Sequence, residues 1–179
     1  MIREKSCCFT GHRPKNFLFG YDEESFSCVA LKRLLLAEIK NKIVNDGVDT
    51  FYVGMALGAD LWSAETVLSL KKKYDIKLIS VIPHKGQEAR WSAADQKRYN
   101  DILKAADESV ILNDRYLRWC MQQRNNYMVD HSAHIIGIFS GMPGGTKNTL
   151  ERARKKGLSI VIINPDSLAV ERFSPIKKF

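Results

Sequence analysis

Ile135-Ile-Gly-Ile-Phe-Ser140, then Gly141-Met-Pro-Gly-Gly-Thr146, then Lys147 to Lys156, form the stretch around which the chain can be read. The first six residues are largely β-branched and apolar and too few for a helix, so they read as a buried strand. A Gly/Pro turn follows. In the third part Leu150 and Ala153 stand three apart, Lys155 and Lys156 fall in the last turn and Gly157 is a stop, which is a helix pattern. A helix start leaves backbone N–H groups unpaired and carries partial positive charge. Gly144 and Gly145 have no Cβ to keep a phosphate away from those groups, and Thr146 and Thr149 offer hydroxyls. The plain alternative is a tight turn feeding a helix, and short glycine motifs alone do not separate the two.

Working outward, the same alternation recurs. Strands are expected over residues 5–10, 50–53, 76–82, 109–112, 134–140 and 158–164. Helices are expected over 26–46, 61–73, 117–132 and 147–156, with another beginning at Ser92. In the first helix Leu31, Leu34, Leu35, Ile39 and Ile43 share a face, and Gly47 ends it. Ser92 followed by Asp95 is a variant of the capping box. Six short strands alternating with five helices imply βαβ units, and so one Rossmann-like α/β domain with a parallel sheet covered on both faces. The first strand is expected at its centre. The domain spans 1–179, with its core at about 5–164 and an irregular tail at 165–179. Right-handed crossovers place every strand-to-helix loop at the carboxyl edge, where open α/β sheets bind ligands near the reversal of strand order.

Composition narrows the class. The 179 residues suit one domain, and 45% hydrophobic with 27% charged residues is ordinary for a globular protein. No apolar run approaches membrane length and the N-terminus has no signal-peptide pattern, so a cytoplasmic protein with no membrane partner is expected. Cys7, Cys8, Cys28 and Cys120 form no C-x-x-C pair. They read as buried thiols, with Cys7 and Cys8 on opposite faces of the first strand, and not as a disulfide frame or a metal site. A net charge of +8 favours anionic partners. Some of that excess lies in Lys71-Lys-Lys73, residues 152–156 and Lys177-Lys178, where lysines near helix ends need mark no site.

Several motifs carry chemistry at the predicted edge. In Thr10-Gly-His-Arg-Pro14, Gly11 permits close approach and Arg13 can fork to a phosphate or carboxylate, although a solvated Arg in a turn explains it equally. No nucleophile pairs with His12 by spacing. Gly54-Met-Ala-Leu-Gly-Ala-Asp60 is a second strand–glycine–helix junction, without dinucleotide G-x-G-x-x-G spacing. Asp60 either caps the next helix or holds a ribose hydroxyl. Arg90-Trp91, Arg115-Tyr116 and Arg118-Trp119 offer cationic and stacking surfaces; Trp91 or Tyr116 could take a base, whereas Trp119 and Tyr127 read as helix-face packing. Arg124 and Met128 lie four apart on one helix, so that with Met128 inward Arg124 points over the sheet edge toward the glycine loop.

Taken together, Thr10 to Pro14, Gly54 to Asp60, Trp91, Arg124 to Asp130 and Gly144-Gly-Thr-x-x-Thr149 resemble the YpsA-like branch of the SLOG superfamily, over about residues 7–164. The resemblance implies a Rossmann-like fold and a nucleotide or nucleotide-derived ligand. It brings in as relatives the DNA-processing protein DprA and the Lonely Guy enzymes, which cleave the base from nucleoside monophosphates. Those enzymes use an Arg-x-x-x-Met segment, matched by Arg124 and Met128, and a Pro-Gly-Gly-x-Gly-Thr-x-x-Glu loop, whose Gly-Thr is matched by Gly145 and Thr146. Where the family has Glu, this chain has Thr149, which cannot act as an acid or base at neutral pH. Glu151 lies about 200° further round the helix and should not substitute.

The resulting expectation is a binding protein, a sensor or regulator, that takes a small nucleotide-like ligand at the carboxyl edge. ADP-ribose and NAD are candidates for it. Its candidate residues are Thr10, Gly11, His12, Arg13, Gly54, Gly58, Asp60, Arg90, Trp91, Arg124, Gly144, Gly145, Thr146 and Thr149. Arg124 and Asp60 are the candidates should there be turnover as an N-glycoside hydrolase. Binding of single-stranded nucleic acid is the second alternative, no metal is expected, and a homo-oligomer is left open.

Overall fold

The computed structural model describes residues 3–175; residues 1–2 and 176–179, with the Lys177-Lys178 pair, lie outside the described residues. The strands are β1 (Ser6–Gly11), β2 (Thr50–Val53), β3 (Lys77–Ile82), β4 (Glu108–Ile111), β5 (His134–Ile138), β6 (Ser159–Ile163) and β7 (Val170–Phe173). The helices are α1 (Phe26–Asp46), α2 (Ala59–Leu70), α3 (Ala93–Ala105), α4 (Cys120–Asp130) and α5 (Gly145–Lys155). The sheet order is β4-β3-β2-β1-β5-β6-β7. The six expected strands are all parallel, and β1 stands at the centre between β2 and β5.

Local chemistry sets the helix ends. The Ser25 Oγ accepts the Cys28 N–H at 3.3 Å to start α1, and Gly47 ends it in the left-handed region at φ 66. Ser92 caps α3 by accepting the Asp95 N–H at 3.1 Å, while its hydroxyl donates to Asp95 Oδ2 at 2.8 Å. Leu31, Leu35 and Ile39 on α1 are wholly buried, each contributing roughly 1.5–3 kcal/mol of apolar burial.

Alternation along β1 sends Cys7 and Phe9 into one core and Cys8 into the other. The first core is closed by α1, α2 and α3, the second by α4 and α5. All four cysteines are buried free thiols.

Two expectations are corrected. The tail is not irregular from residue 165. Asn164 Oδ1 accepts the N–H groups of Asp166 and Ser167 at 2.9 and 3.1 Å, and the chain reverses into β7, antiparallel to β6. Arg172 on β7 is ion-paired with Glu38, a carboxylate otherwise buried on α1, and Arg154 lies over the Phe173 ring at 5.3 Å. Charge pairing and a cation–π contact hold this strand, so its sequence carries little apolar signal. The fourth helix starts at Cys120, later than expected, which leaves Trp119 62% exposed instead of packed on a helix face. Among the described residues no helix is long and apolar enough to cross a membrane.

Candidate functional site

The crossovers from β1 through β4 move outward on one side, and β5 returns to the other side of β1. The strand order therefore reverses between β1 and β5, where the diverging loops leave a crevice. A cavity of about 310 Å³ opens there. Thr10, Gly11, His12, Arg13, Lys15 and Asn16 line it from the β1 end, Ala56 and Asp60 from the β2–α2 junction. Met121, Arg124 and Asn125 come from α4, and the run from Met142 to Thr146 from the glycine loop.

The glycine loop ends in an open helix start. Gly144 is the N-cap of α5, at φ 142, with no side-chain cap. The first intrahelical bond of α5 runs from Asn148 N to Gly144 O at 3.1 Å. The N–H groups of Gly145, Thr146 and Lys147 precede it and lack an intrahelical acceptor. A Cβ built at Gly144 or Gly145 would meet nothing within 4 Å, so the space beside these amides is open.

The floor is an ion pair. Arg124 Nη1 donates to Gly54 O and to Asp60 Oδ2 (3.3 Å), and both side chains are more than nine-tenths buried. Asp60 Oδ2 also accepts the Ala56 N–H at 3.1 Å. Burial raises the Asp60 carboxyl above its usual range, against the opposing pull of Arg124, the Ala56 N–H and Arg13. Burial likewise lowers Arg124, and Asp60 opposes it. Gly54 is required by close approach: a Cβ there would overlap the guanidinium and lie 2.7 Å from Asp60 Oδ2. Arg124 is thus aimed at the Gly54–Asp60 junction, not at the glycine loop.

Asn125 makes the link to that loop. Its Oδ1 accepts from Arg124 Nε at 2.8 Å and its Nδ2 donates to Thr149 Oγ1 at 2.9 Å. The Thr149 hydroxyl in turn donates to Gly145 O at 2.7 Å. Thr149 is fully buried, with its hydroxyl committed on both sides. It shapes the start of α5 from behind and does not present its hydroxyl to the cavity, which corrects its assignment as a phosphate donor.

His12 is 5% exposed. Its Nε2 accepts the Ser140 N–H at 3.1 Å and lies 2.9 Å from Ser140 Oγ. An N–H donating to Nε2 requires a lone pair there, which places the ring proton on Nδ1. Burial lowers the His12 pKa, with Asp166 acting weakly the other way. Because the Ser140 amide already occupies that lone pair, the pair is built as a latch between the β1 and β5 loops and not as a nucleophile with its base.

Of the sequence candidates, Thr10, Gly11, His12, Arg13, Asp60, Arg124, Gly144, Gly145 and Thr146 line one cavity. Gly54 lies beneath its floor, and Gly58 is the N-cap of α2. Exposed Arg90 and half-buried Trp91 belong to the loop after β3, outside this lining; Trp91 meets Tyr99 edge-on at 5.5 Å. Asn125, Lys15, Asn16, Met121 and Met142 escaped sequence reasoning. Arg13 Nη2 meets Met121 Sδ at 3.9 Å, tying the β1 loop to α4. Arg13, Lys15 and Arg124 stand against one lining carboxylate, Asp60, so the cavity favours an anion. Among the described residues no cluster of three or more His, Cys, Asp or Glu side chains could hold a metal.

A mostly parallel sheet with a glycine-loop helix start at its switch point defines the Rossmann-like class. Within it, a family model described as the YspA SLOG family matches residues 7–168, and the chain belongs to that family. It is 34% identical over 151 residues to the SPbeta prophage-derived protein YoqJ of Bacillus subtilis, covering 76% of this chain and 88% of YoqJ. In structure it resembles DNA processing protein A (DprA) of Streptococcus pneumoniae, with a TM-score of 0.60 at 17% identity over 91% of this chain and 52% of that one. DprA of Helicobacter pylori, described for its single-stranded DNA binding mode, gives a TM-score of 0.60 at 16% identity over 90% of this chain and 66% of that one. This chain therefore spans about half of the pneumococcal protein and about two thirds of the other. At these identities the likeness is one of fold.

Proposed function

We propose that the protein binds a nucleotide or nucleotide-derived phosphate in the cavity between β1 and β5, as a sensor or regulatory binder without turnover. The observation that carries this reading is the uncapped start of α5, with open space beside Gly144 and Gly145, at a cavity lined by Arg13 and Lys15. A phosphate there would take the first-turn N–H groups, and Arg13 would pair with it. Asp60, at the floor, could accept a ribose hydroxyl. Two points argue against an N-glycoside hydrolase. Thr149 is buried with its hydroxyl committed, and Asp60 is engaged by Arg124 and Ala56.

The test is calorimetric titration with AMP, ADP, ADP-ribose and NAD. Gly145→Val would put a branched side chain into space that is now open. It should leave the fold intact and weaken the best ligand at least about tenfold, or 1.4 kcal/mol. Unchanged affinity in the variant would reduce the loop to a turn, and release of free base at about 1 per second or faster would replace the sensor by an enzyme.

One observation favours a second reading. Tyr116 and Trp119, three apart in the segment before α4, are 63% and 62% exposed, and their chain neighbours Arg115 and Arg118 are exposed too, a set of residues suited to stacking single-stranded bases. That reading requires oligonucleotide affinity that falls steeply with salt and is lost in Tyr116→Ala with Trp119→Ala.

A further inference from the structure

We infer that His12 positions the glycine loop, and does so only as the neutral imidazole carrying its proton on Nδ1, so that protonating Nε2 releases the loop and weakens anion binding. The inference rests on reading that loop as an anion site and adds a residue that sets its affinity.

The geometry is specific. Ser140 is the second of two residues between β5 and the glycine loop, and it donates its amide to His12 Nε2 at 3.1 Å. From the other side, His12 N donates to Ile138 O at 3.3 Å and His12 O accepts the Ala59 N–H at 3.3 Å. The imidazole is walled by the rings of Phe17 and Phe139, with centroids 5.9 and 5.7 Å away. The backbone of residue 12 is thereby fixed to β5 and α2, and the ring transmits that placement to the start of the loop. A proton on Nε2 would turn to the Ser140 hydroxyl oxygen 2.9 Å away and set its N–H against the Ser140 N–H, so that this amide would lose its acceptor. Burial makes that protonation unfavourable at neutral pH.

Other charges near the ring do not provide the same switch. Asp166, on the turn after β6, favours the protonated ring, though less than burial opposes it. Asp60 on α2, Arg124 on α4, and Arg13 and Lys15 on the loop after β1 line the same cavity. Simple electrostatics predicts the opposite sign to a latch: an added positive charge on His12 would strengthen binding of an anion, whereas release of the loop would weaken it.

The experiment uses inorganic sulfate, which stays a dianion across the range, whereas phosphate groups titrate near pH 6. Nitrogen NMR of the wild-type imidazole should show His12 Nε2 without a proton at neutral pH; an Nε2–H tautomer overturns the proposal. Sulfate affinity, followed at the Gly145 and Thr146 amides, should fall as pH is lowered below the His12 pKa, toward tenfold per pH unit. Affinity that rises or stays level overturns it. His12→Gln offers a carbonyl acceptor in place of Nε2 and cannot titrate, so the pH step should vanish; a surviving step assigns it to another group and overturns the proposal. Ser140→Ala keeps the donating amide and should keep the step, and its loss would also count against the latch. If sulfate binds at no pH, the anion-site reading fails, and the latch is decided by amide exchange in wild-type protein. Protection of the Ser140 amide should then drop on acidification, and unchanged protection overturns the proposal.

Discussion

Asn125 donates from Nδ2 to the Thr149 hydroxyl at 2.9 Å, and that hydroxyl donates to Gly145 O at 2.7 Å. Asn125 also accepts from Arg124 Nε. A continuous chain of hydrogen bonds therefore runs from the buried Arg124–Asp60 pair to the first residue of α5. Thr149→Val preserves side-chain shape and removes both of its links, leaving the Asn125 amide short of an acceptor, while the Gly145 carbonyl keeps the helical N–H of residue 149. The expected cost is about 1–3 kcal/mol of stability, read from urea unfolding. The expected loss of nucleotide affinity is smaller than in Gly145→Val, because the valine stays behind the loop. An equal loss in the two variants would mean that position 149 does face the ligand.

Thr149→Glu separates lineage from geometry. The Lonely Guy pattern has a glutamate at the position of Thr149, but here that position is fully buried behind the loop. A carboxylate placed there would lose its hydration without a cationic partner, at a cost of several kcal/mol. The variant should unfold at lower denaturant than wild type and release no base from a nucleoside monophosphate. A well-folded Thr149→Glu protein that releases base would show that the loop rearranges to present this residue.

Gly54 and Arg124 make a second separable test. A methyl group at position 54 would occupy the volume of the guanidinium. Gly54→Ala must displace Arg124 from Asp60, and breaking a buried ion pair costs about 3–5 kcal/mol. Arg124→Ala should destabilise by a comparable amount, since it strands the Asp60 carboxylate. The double variant should fall well short of the sum, because the clash with the guanidinium is gone and only the 2.7 Å approach to Asp60 Oδ2 remains. Strict additivity in the unfolding free energies would remove the packing explanation for Gly54.

These residues also show what was legible in the sequence. Strands such as Ile135 to Ile138 announce themselves because burial on both faces demands continuous apolar residues. Glycines at strand ends mark where the backbone must come close to something, and that located the cavity. The partners themselves were not legible. His12 and Ser140 stand 128 residues apart, Arg124 and Gly54 stand 70 apart, and nothing local in either segment encodes the other. Asn125 reads only as a mediocre helix residue until Thr149 is placed beside it. Arg90 and Trp91 had suitable chemistry on the right sheet edge, but their loop follows β3, two strands from β1, beyond the switch point. The strand Val170–Phe173 was hidden because Glu171 and Arg172 make it polar, and its order depends on Glu38 far upstream.

The buried thiols give a prediction that needs no variant. Burial raises Cys7 well above the ordinary thiol range and Cys8 to about 12, and all four cysteines are buried. A thiol must be both exposed and deprotonated to react. At pH 8 the native protein should therefore consume no thiol reagent on the timescale of a free thiol, and four equivalents should appear together on unfolding. Fast labelling of Cys120, at the start of α4 beside Met121, would show that the cavity wall opens locally below the global unfolding free energy.

The last prediction concerns the loop that carries Lys15 and Asn16. Glu23, at its far end, accepts from Arg98 Nη1 at 2.7 Å and Nη2 at 3.1 Å, and from Lys32 Nζ at 2.5 Å. Arg98 also donates to Glu65 on α2, through Nε at 2.5 Å and Nη2 at 2.7 Å. One guanidinium on α3 thus ties the β1–α1 loop to α2. Burial alone would raise the Glu23 carboxyl, but the hydrogen bonds from Arg98 and Lys32 outweigh it and bring the pKa down to about 2, from an ordinary 4.5. A carboxylate with a depressed folded pKa contributes stability that is fully present above the unfolded value. That contribution is lost as pH falls through the folded one, here between about pH 4.5 and 2. Glu23→Gln should therefore destabilise the protein most at pH 7, and its difference from wild type should shrink steadily on acidification through that window. Arg98→Met should reduce the same pH-dependent component and, by freeing the loop, raise the exchange rate of amides between Phe17 and Ser25. A Glu23→Gln deficit of equal size in urea melts at pH 7, 4 and 2.5 would show that the glutamate contributes by packing alone, and that the loop is held by the stack of Phe17 on Trp62, with centroids 5.1 Å apart.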